Sequence, residues 1–312
     1  MKQNNTIVSQ KYFNEVYVSL QPHFQSITGK KCKALNDIIF NVAGCLVMSG
    51  IDPKQYLKDY SQDKIFDPNC LFKDDVLVFN YFNKNYKRFA EILYSRRSTG
   101  LGTPHAASGE GELMAFACSP KVTISKKKGR GDLIVSKKTI EMKGDGVQIT
   151  SSISGKDFYK SSIIIGKKYS FQPNKNRSYA QGAFEPYDIG KKANHWKAEF
   201  QKSGNKKASD FLFELMNATG AAYSRASINS CFPKGIFSPE QLQREMLKAM
   251  FLSNTTQQKW DYLSTIKNGI IRTITGDPKQ WNKLVDDEVI IPSGNFFRIN
   301  QHNPLGWYYK FA

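Results

Sequence analysis

The stretch GDLIVSKKTIEMKG, residues 131–144, is the part of the chain that decides the fold. Two runs rich in β-branched and apolar residues flank the short turn SKK, and this pattern predicts a tight β-hairpin. Because side chains alternate faces along a strand, Glu141 and Lys143 are expected on one face and Met142 on the other. The turn returns the first strand alongside the second, so Asp132 is expected beside Glu141 and Lys143.

The residue types in this hairpin suit metal-assisted chemistry on a phosphodiester. Mg²⁺ takes hard oxygen ligands, usually one or two carboxylates, and completes its shell with water and phosphate. Asp132 and Glu141 are the predicted ligands, with the backbone carbonyl of Met142 as a further one. Lys143 would hold or deprotonate the attacking water, or stabilise the charge that builds on the phosphorane.

The sequence before the hairpin gives this pattern a structural context. The segment STGLGTPHAASGEG, residues 98–111, is rich in Gly, Ser and Pro and is predicted to be a loop. A short helix is expected over residues 112–118, and the run KVTIS, residues 121–125, reads as a strand. An acid followed by acid-x-Lys is common by chance, so the surrounding helix and strands supply most of its specificity.

The hairpin resembles the core of the PD-(D/E)xK nuclease superfamily, which includes restriction endonucleases, junction resolvases and phage exonucleases. Asp132, Glu141 and Lys143 are the matching residues, and the resemblance covers residues 108–165. The chain departs from the pattern in that Gly131, and not a proline, precedes the first acid.

The resemblance implies an α/β protein with a restriction-endonuclease-like mixed β-sheet flanked by helices, a helical N-terminal region and a C-terminal extension. It implies a Mg²⁺-dependent deoxyribonuclease of a restriction, mobile-element or phage type, with Mn²⁺ as a substitute ion. It also implies an assisting catalytic acid and further metal ligand on the preceding helix, which would be Glu112 in the sequence GEGE, with Glu110 as the alternate.

The charge of the chain favours a polyanionic partner. Lys and Arg number 45 against 27 Asp and Glu, a formal net charge of +18. DNA is the expected polyanion, an anionic membrane surface is the runner-up, and a merely solubilising charge is the third interpretation. The predicted phosphate contacts flank the hairpin region: Lys126, Lys127, Lys128, Arg130, Lys167 and Lys168. The basic and aromatic segment 169–200 is read either as a base-stacking surface or as core and loop anchors.

Several classes of protein are disfavoured by the sequence. Five scattered cysteines without a CxxC pair argue against a disulfide framework and a structural zinc site. The N-terminus has no signal-peptide core, and the longest apolar run, residues 38–48, is too short to span a bilayer. We therefore expect a soluble protein of a reducing compartment, the cytoplasm, with no membrane partner. No P-loop is present, which argues against a nucleotide cofactor.

The chain is predicted to divide into three parts. Residues 1–98 form a helical region that is a candidate for DNA binding, residues 99–235 the nuclease core, and residues 236–312 a C-terminal region of helices and short strands. Further helices are predicted from Asp37, from Asp52-Pro53, over 81–97, from 209, from Ser238 and over 260–274. Strands are predicted over 161–166 and in the C-terminal tail.

Two functions of different classes explain these features. The first is the metal-dependent nuclease, for which a homodimer would supply the two active sites that duplex cleavage usually needs. The second is a non-catalytic, basic nucleic-acid-binding or virion-associated protein. The arrangement of the hairpin discriminates between them, because an enzyme needs Asp132, Glu141 and Lys143 around one cleft.

Overall fold

The computed structural model shows a mixed α/β protein. The chain divides into two compact units, the first formed by residues 1–145 and 260–274 and the second by residues 146–259 and 275–312. The structure describes residues 10–28, 35–95, 110–125, 132–143, 148–169, 187–188, 198, 201–202, 206–298 and 304–312.

The first unit contains a six-stranded mixed sheet flanked by helices, with the strand order β1-β8-β7-β4-β3-β2. Its strands are β1 (Val76–Leu77), β2 (Val122–Ile124), β3 (Leu133–Val135), β4 (Lys138–Lys143), β7 (Tyr262–Lys267) and β8 (Ile270–Thr275). Strands β2, β3 and β4 form an antiparallel meander, and β4 pairs in parallel with β7. The predicted hairpin is therefore confirmed over residues 132–143, the part of 131–144 that the structure describes, and β4 lies inside the sheet.

Five helices belong to the first unit within the described residues: α1 (Gln10–Thr28), α2 (Leu35–Ser49), α3 (Pro53–Ser61), α4 (Lys87–Tyr94) and α5 (Glu110–Cys118). The predicted start of α3 is confirmed, since Asp52 accepts a hydrogen bond from the Gln55 amide and Pro53 occupies the first turn. The helix predicted over 81–97 is shorter than expected, because residues 78–81 form a 3-10 turn and α4 begins at Lys87.

The helix predicted over 260–274 is wrong, because these residues form the β7–β8 hairpin. Its turn is Asn268-Gly269, with φ of 52° and 79°. Both residues occupy the left-handed region that a two-residue hairpin turn requires, and Asn-Gly is the preferred pair there. A β-carbon at Gly269 would lie 2.6 Å from Phe79 Cε2, so the close approach also requires glycine.

The second unit contains a four-stranded sheet with the order β5-β10-β9-β6. Its strands are β5 (Gln148–Ser154), β6 (Tyr187–Asp188), β9 (Ile290–Arg298) and β10 (Pro304–Phe311), so the predicted C-terminal strands are confirmed. Its helices in the described residues are α6 (Gly155–Lys168), α7 (Lys206–Asn217), α8 (Arg225–Cys231), α9 (Pro239–Gln258) and α10 (Pro278–Asp286).

The strand predicted over 161–166 is also wrong, because these residues lie in the middle of α6. Ser154 caps the helix by accepting a hydrogen bond from the Asp157 amide at 3.1 Å. Phe158, Ile165 and Tyr169 are buried at helical spacing, and this packing overrides the β-propensity of the run SSIIIG.

The division into two units cuts across the predicted boundaries at 98/99 and 235/236. Strands β7 and β8 join the sheet of the first unit although they lie more than 110 residues after β4 in the chain. The three-part division stays a prediction. Most of segment 169–200 lies outside the described residues.

Within the described residues, no single helix has the length and apolar character needed to cross a membrane. Helices α2 and α3 meet that criterion of length and composition only as a pair bent by 113°.

Candidate active site

The β3–β4 hairpin fixes the backbone on both sides of the predicted site. The strands pair with Leu133 opposite Ile140 and Val135 opposite Lys138. The turn between them is Ser136-Lys137, where both residues have positive φ, as a two-residue turn requires. At the open end, the Asp132 amide donates to the Ile140 carbonyl at 2.8 Å, while its own carbonyl accepts from the Ser125 amide at 2.9 Å.

The Asp132 side chain takes the place of a backbone partner where β3 begins. Its Oδ2 accepts a hydrogen bond from the Met142 amide at 2.8 Å. Because the N–H and C=O of one strand residue point to the same neighbour, the Met142 carbonyl is directed to this side of β4 as well. The predicted ligands Asp132 and Met142 carbonyl are thus presented on the same edge.

Glu141 and Lys143 point to one face of β4, as predicted, and contact each other. The distance from Lys143 Nζ to Glu141 Oε1 is 2.5 Å. The Glu141 side chain is 7% exposed and that of Lys143 26% exposed, so the ion pair is largely removed from water. A buried ion pair of this kind is weak evidence for stability, because desolvation offsets the attraction. Its presence on a central strand calls for a functional explanation.

The electrostatics couple Asp132 to this pair. Burial and the nearby charge of Glu141 raise the pKa of Asp132 to about 6, against the opposing effects of Lys143 and the Met142 amide. Burial lowers the pKa of Lys143, but the charges of Glu141, Asp132 and Glu112, with the hydrogen bond to Glu141, raise it overall. Two carboxylates therefore compete for one ammonium, an arrangement typical of functional sites.

Glu112 lies on α5, within electrostatic range of Lys143. Two features hold this helix in place. A β-carbon at Gly111 would lie 3.1 Å from both Met142 Cε and Ile266 Cδ1, so the glycine lets α5 approach the opposite face of β4 and β7 closely. At the other end, the Tyr56 hydroxyl donates to the Ala117 carbonyl at 2.5 Å. The side chain of Glu110, the predicted alternate, lies outside the described residues.

The sequence reasoning missed these supporting residues. Gly111 and Tyr56 give no local signal, because each acts through a neighbour that is distant in sequence. Thr265 was missed as well: it lies beside Lys143 in the parallel pairing of β4 and β7 and is 2% exposed. The Asn268-Gly269 pair was the signal that could have revealed this strand.

The positions of the carboxylates limit which side chains can be named as metal ligands. Among the residues that the structure describes, no three His, Cys, Asp or Glu side chains are grouped so that they could hold a metal ion. Glu112 as a ligand therefore stays a prediction. Asp132 and Glu141 with the Met142 carbonyl still suit Mg²⁺, which commonly takes only one or two carboxylates. Burial and the charge of Glu141 raise the pKa of Asp132, and a cation would offset both effects.

Comparison of the chain with protein-family models, curated proteins and solved structures gives no match.

The predicted phosphate contacts divide into two groups. Lys126, Lys127, Lys128 and Arg130 lie outside the described residues. Lys167 and Lys168 lie in the last turn of α6, where Lys168 Nζ is 2.6 Å from Glu214 Oε1 and Lys167 is exposed.

Proposed function

We propose that the protein is a metal-dependent nuclease that hydrolyses DNA phosphodiester bonds, of the PD-(D/E)xK type that the hairpin resembles. One observation carries the proposal: the desolvated Glu141–Lys143 pair lies next to Asp132, whose pKa is raised to about 6. The ionised form of Asp132 is therefore disfavoured in the folded chain, and a bound cation would offset that cost. The mixed sheet flanked by helices is compatible with a restriction-endonuclease-like core.

Each residue has a distinct role in this proposal. Asp132, Glu141 and the Met142 carbonyl would hold Mg²⁺, and Glu112 would assist. The ion, when bound, supplies neutralisation of phosphate charge and a water of lowered pKa. Asp132 stays fixed for this task because the Met142 amide and the β-ladder hold it on both sides.

The raised pKa of Lys143 restricts the role that this residue can have in the reaction. Its raised pKa keeps it protonated near neutral pH, so it serves as a cation more readily than as a base. It would orient the attacking water and stabilise the charge that develops on the phosphorane oxygens. Base catalysis by Lys143 would first require the surrounding carboxylates to be neutralised.

Incubation of supercoiled, linear and single-stranded DNA with the protein tests the activity. Cleavage is expected with Mg²⁺ or Mn²⁺ and none with EDTA, because the two carboxylates need a cation to accept a phosphate. The three substrates also separate endonuclease from exonuclease action. Absence of hydrolysis in every metal-containing reaction would contradict the proposal.

The second candidate is a non-catalytic nucleic-acid-binding protein, and the net charge of +18 favours it. It predicts salt-sensitive DNA binding without hydrolysis. It gives no reason for a buried carboxylate pair around Lys143, which is why we prefer the enzyme. A homodimer stays a prediction in both cases.

A further inference from the structure

Helix α6 carries a row of lysines along its solvent side. Lys156, Lys160 and Lys167 are all exposed. At 3.6 residues per turn they lie within about 40° of one another around the helix axis. They extend over about 16 Å, which matches the axial rise of about five base pairs of duplex DNA.

The opposite side of α6 is packed in its own unit. Phe158, Ile165 and Tyr169 are buried, with exposures of 0%, 6% and 8%. This packing fixes the rotation of the helix about its axis, so the three lysines are presented to solvent by the fold.

The other charged residues of α6 lie beside the row. Asp157 is the one acid in the helix sequence, and its Oδ2 accepts a hydrogen bond from Ser154 Oγ at 2.7 Å. Lys168 pairs with Glu214, which removes it from the row. In the part of the chain that the structure describes, Lys160 and Lys167 form no ion pair with an acid. Lys160 and Lys167 therefore carry positive charge that no described acid pairs with.

We propose that Lys156, Lys160 and Lys167 form a contact surface for the phosphate backbone of duplex DNA, called here the α6 stripe. The identity of the polymer rests on the proposed function. Charge complementarity supports this partner, because lysines that follow one side of a rigid helix can each meet a phosphate of the same duplex. Phosphate contacts of this kind position the duplex and read no sequence.

An anionic membrane is the competing partner, and the packing of α6 disfavours it. A helix that lies in a membrane interface buries a broad apolar face among the lipids. Among the side chains of α6 that the structure describes, Ile164 is the large apolar residue on the exposed side, at 67% exposure, while Phe158, Ile165 and Tyr169 pack inside the unit. Among the described side chains of α6, this leaves little apolar area for insertion.

The test measures binding of a short fluorescent duplex in EDTA over a range of salt concentrations. The triple variant Lys156→Gln, Lys160→Gln, Lys167→Gln is compared with a control that carries Lys54→Gln, Lys58→Gln and Lys64→Gln on and after α3. Both variants lose the same charge from exposed positions. Thermal melting of both variants checks that they remain folded.

The α6 variant is expected to bind at least about tenfold more weakly, with the slope of log K against log salt smaller by about 3. The control is expected to bind nearly as the unchanged protein does. Equal losses in the two variants would overturn the proposal, because they would show an effect of total charge. Wild-type affinity of the α6 variant would overturn it as well.

Two further arms separate the alternatives. Vesicles containing phosphatidylserine are tested in the same way, and loss of vesicle binding with unchanged duplex binding would overturn the DNA assignment. Because binding is measured in EDTA, the outcome is independent of cleavage. If the unchanged protein never cleaves DNA and the α6 variant loses duplex binding, the nuclease function is refuted and the α6 stripe is supported. Cleavage with unchanged binding refutes the stripe alone.

Discussion

Asp132 is the residue at which stability and function oppose each other. Its carboxylate is partly buried, accepts the Met142 amide and lies near Glu141, and its pKa is raised to about 6. Ordinary folding would favour a neutral side chain at this position. An ionised group held there against its preference is understandable when a cation completes the site.

This raised pKa predicts a pH-dependent gain in stability from Asp132→Asn in EDTA. The folded state binds the proton more tightly than the unfolded state, so stability falls as pH rises through the interval between the ordinary pKa of 3.8 and about 6. Asparagine stays neutral and can still accept the Met142 amide. We expect the variant to melt about 2 to 5 °C higher than the unchanged protein at pH 7.5, with little difference near pH 3.5.

Thermal melting at the two pH values, with Asp75→Asn as the control at an exposed acid, checks this expectation. Addition of Mg²⁺ should raise the melting temperature of the unchanged protein and leave that of the Asp132 variant nearly constant. A lower melting temperature for the Asp132 variant at pH 7.5 would show that its charge stabilises the metal-free fold, contrary to the account.

At the scale of elements, helix α5 packs closely on the sheet because Gly111 has no side chain. The backbone of the helix lies close to Met142 and Ile266, the two side chains that a β-carbon would meet at 3.1 Å. Glu112, the next residue, acts on Lys143 from this position. Gly111 is therefore a positioning residue, which acts on the site only through the helix.

Substitution of Gly111 should lower the cleavage rate in order of side-chain size. Alanine needs shifts of a few tenths of an ångström and is expected to reduce kcat less than threefold, whereas valine should reduce it by about tenfold with KM nearly unchanged. Ile266→Val removes the Cδ1 atom that the new side chain meets, and in combination it should restore part of the rate. Wild-type kcat in Gly111→Val would exclude a positioning role.

Sequence patterns predict elements well where the local signals agree. The β3–β4 hairpin has β-branched strands on either side of a short polar turn, and α9 has the Ser238-Pro239 start; both are confirmed. The helix predicted over 260–274 is wrong because an apolar pattern alone does not distinguish a helix from a strand. The Asn268-Gly269 pair does distinguish them, since it is typical of a hairpin turn. The strand predicted over 161–166 is wrong for a different reason. Tertiary packing of α6 outweighs the preference of three isoleucines for strands.

At the scale of the whole molecule, the decisive pairing is non-local. Strand β4 lies between β3 and β7, and β7 comes from a part of the chain beyond most of the second unit. Asp132, Glu141 and Lys143 could be named from one hairpin, because neighbouring strands bring them together. No local pattern predicts that β4 pairs with β7 or that the chain divides into these two units. The α6 stripe also depends on tertiary packing, which makes residues 155–168 a helix. The net charge of +18 indicated the class of partner without indicating its surface.

The central claim is that Lys143 works with Asp132 and Glu141 in phosphodiester hydrolysis. Its most direct test compares Lys143→Ala with Lys138→Ala, an exposed lysine at the other end of the same strand. Mg²⁺-dependent cleavage and EDTA-measured binding of one DNA substrate are followed for both variants. We predict that Lys143→Ala abolishes cleavage and keeps DNA binding, while Lys138→Ala cleaves normally. Full cleavage by Lys143→Ala would contradict the account.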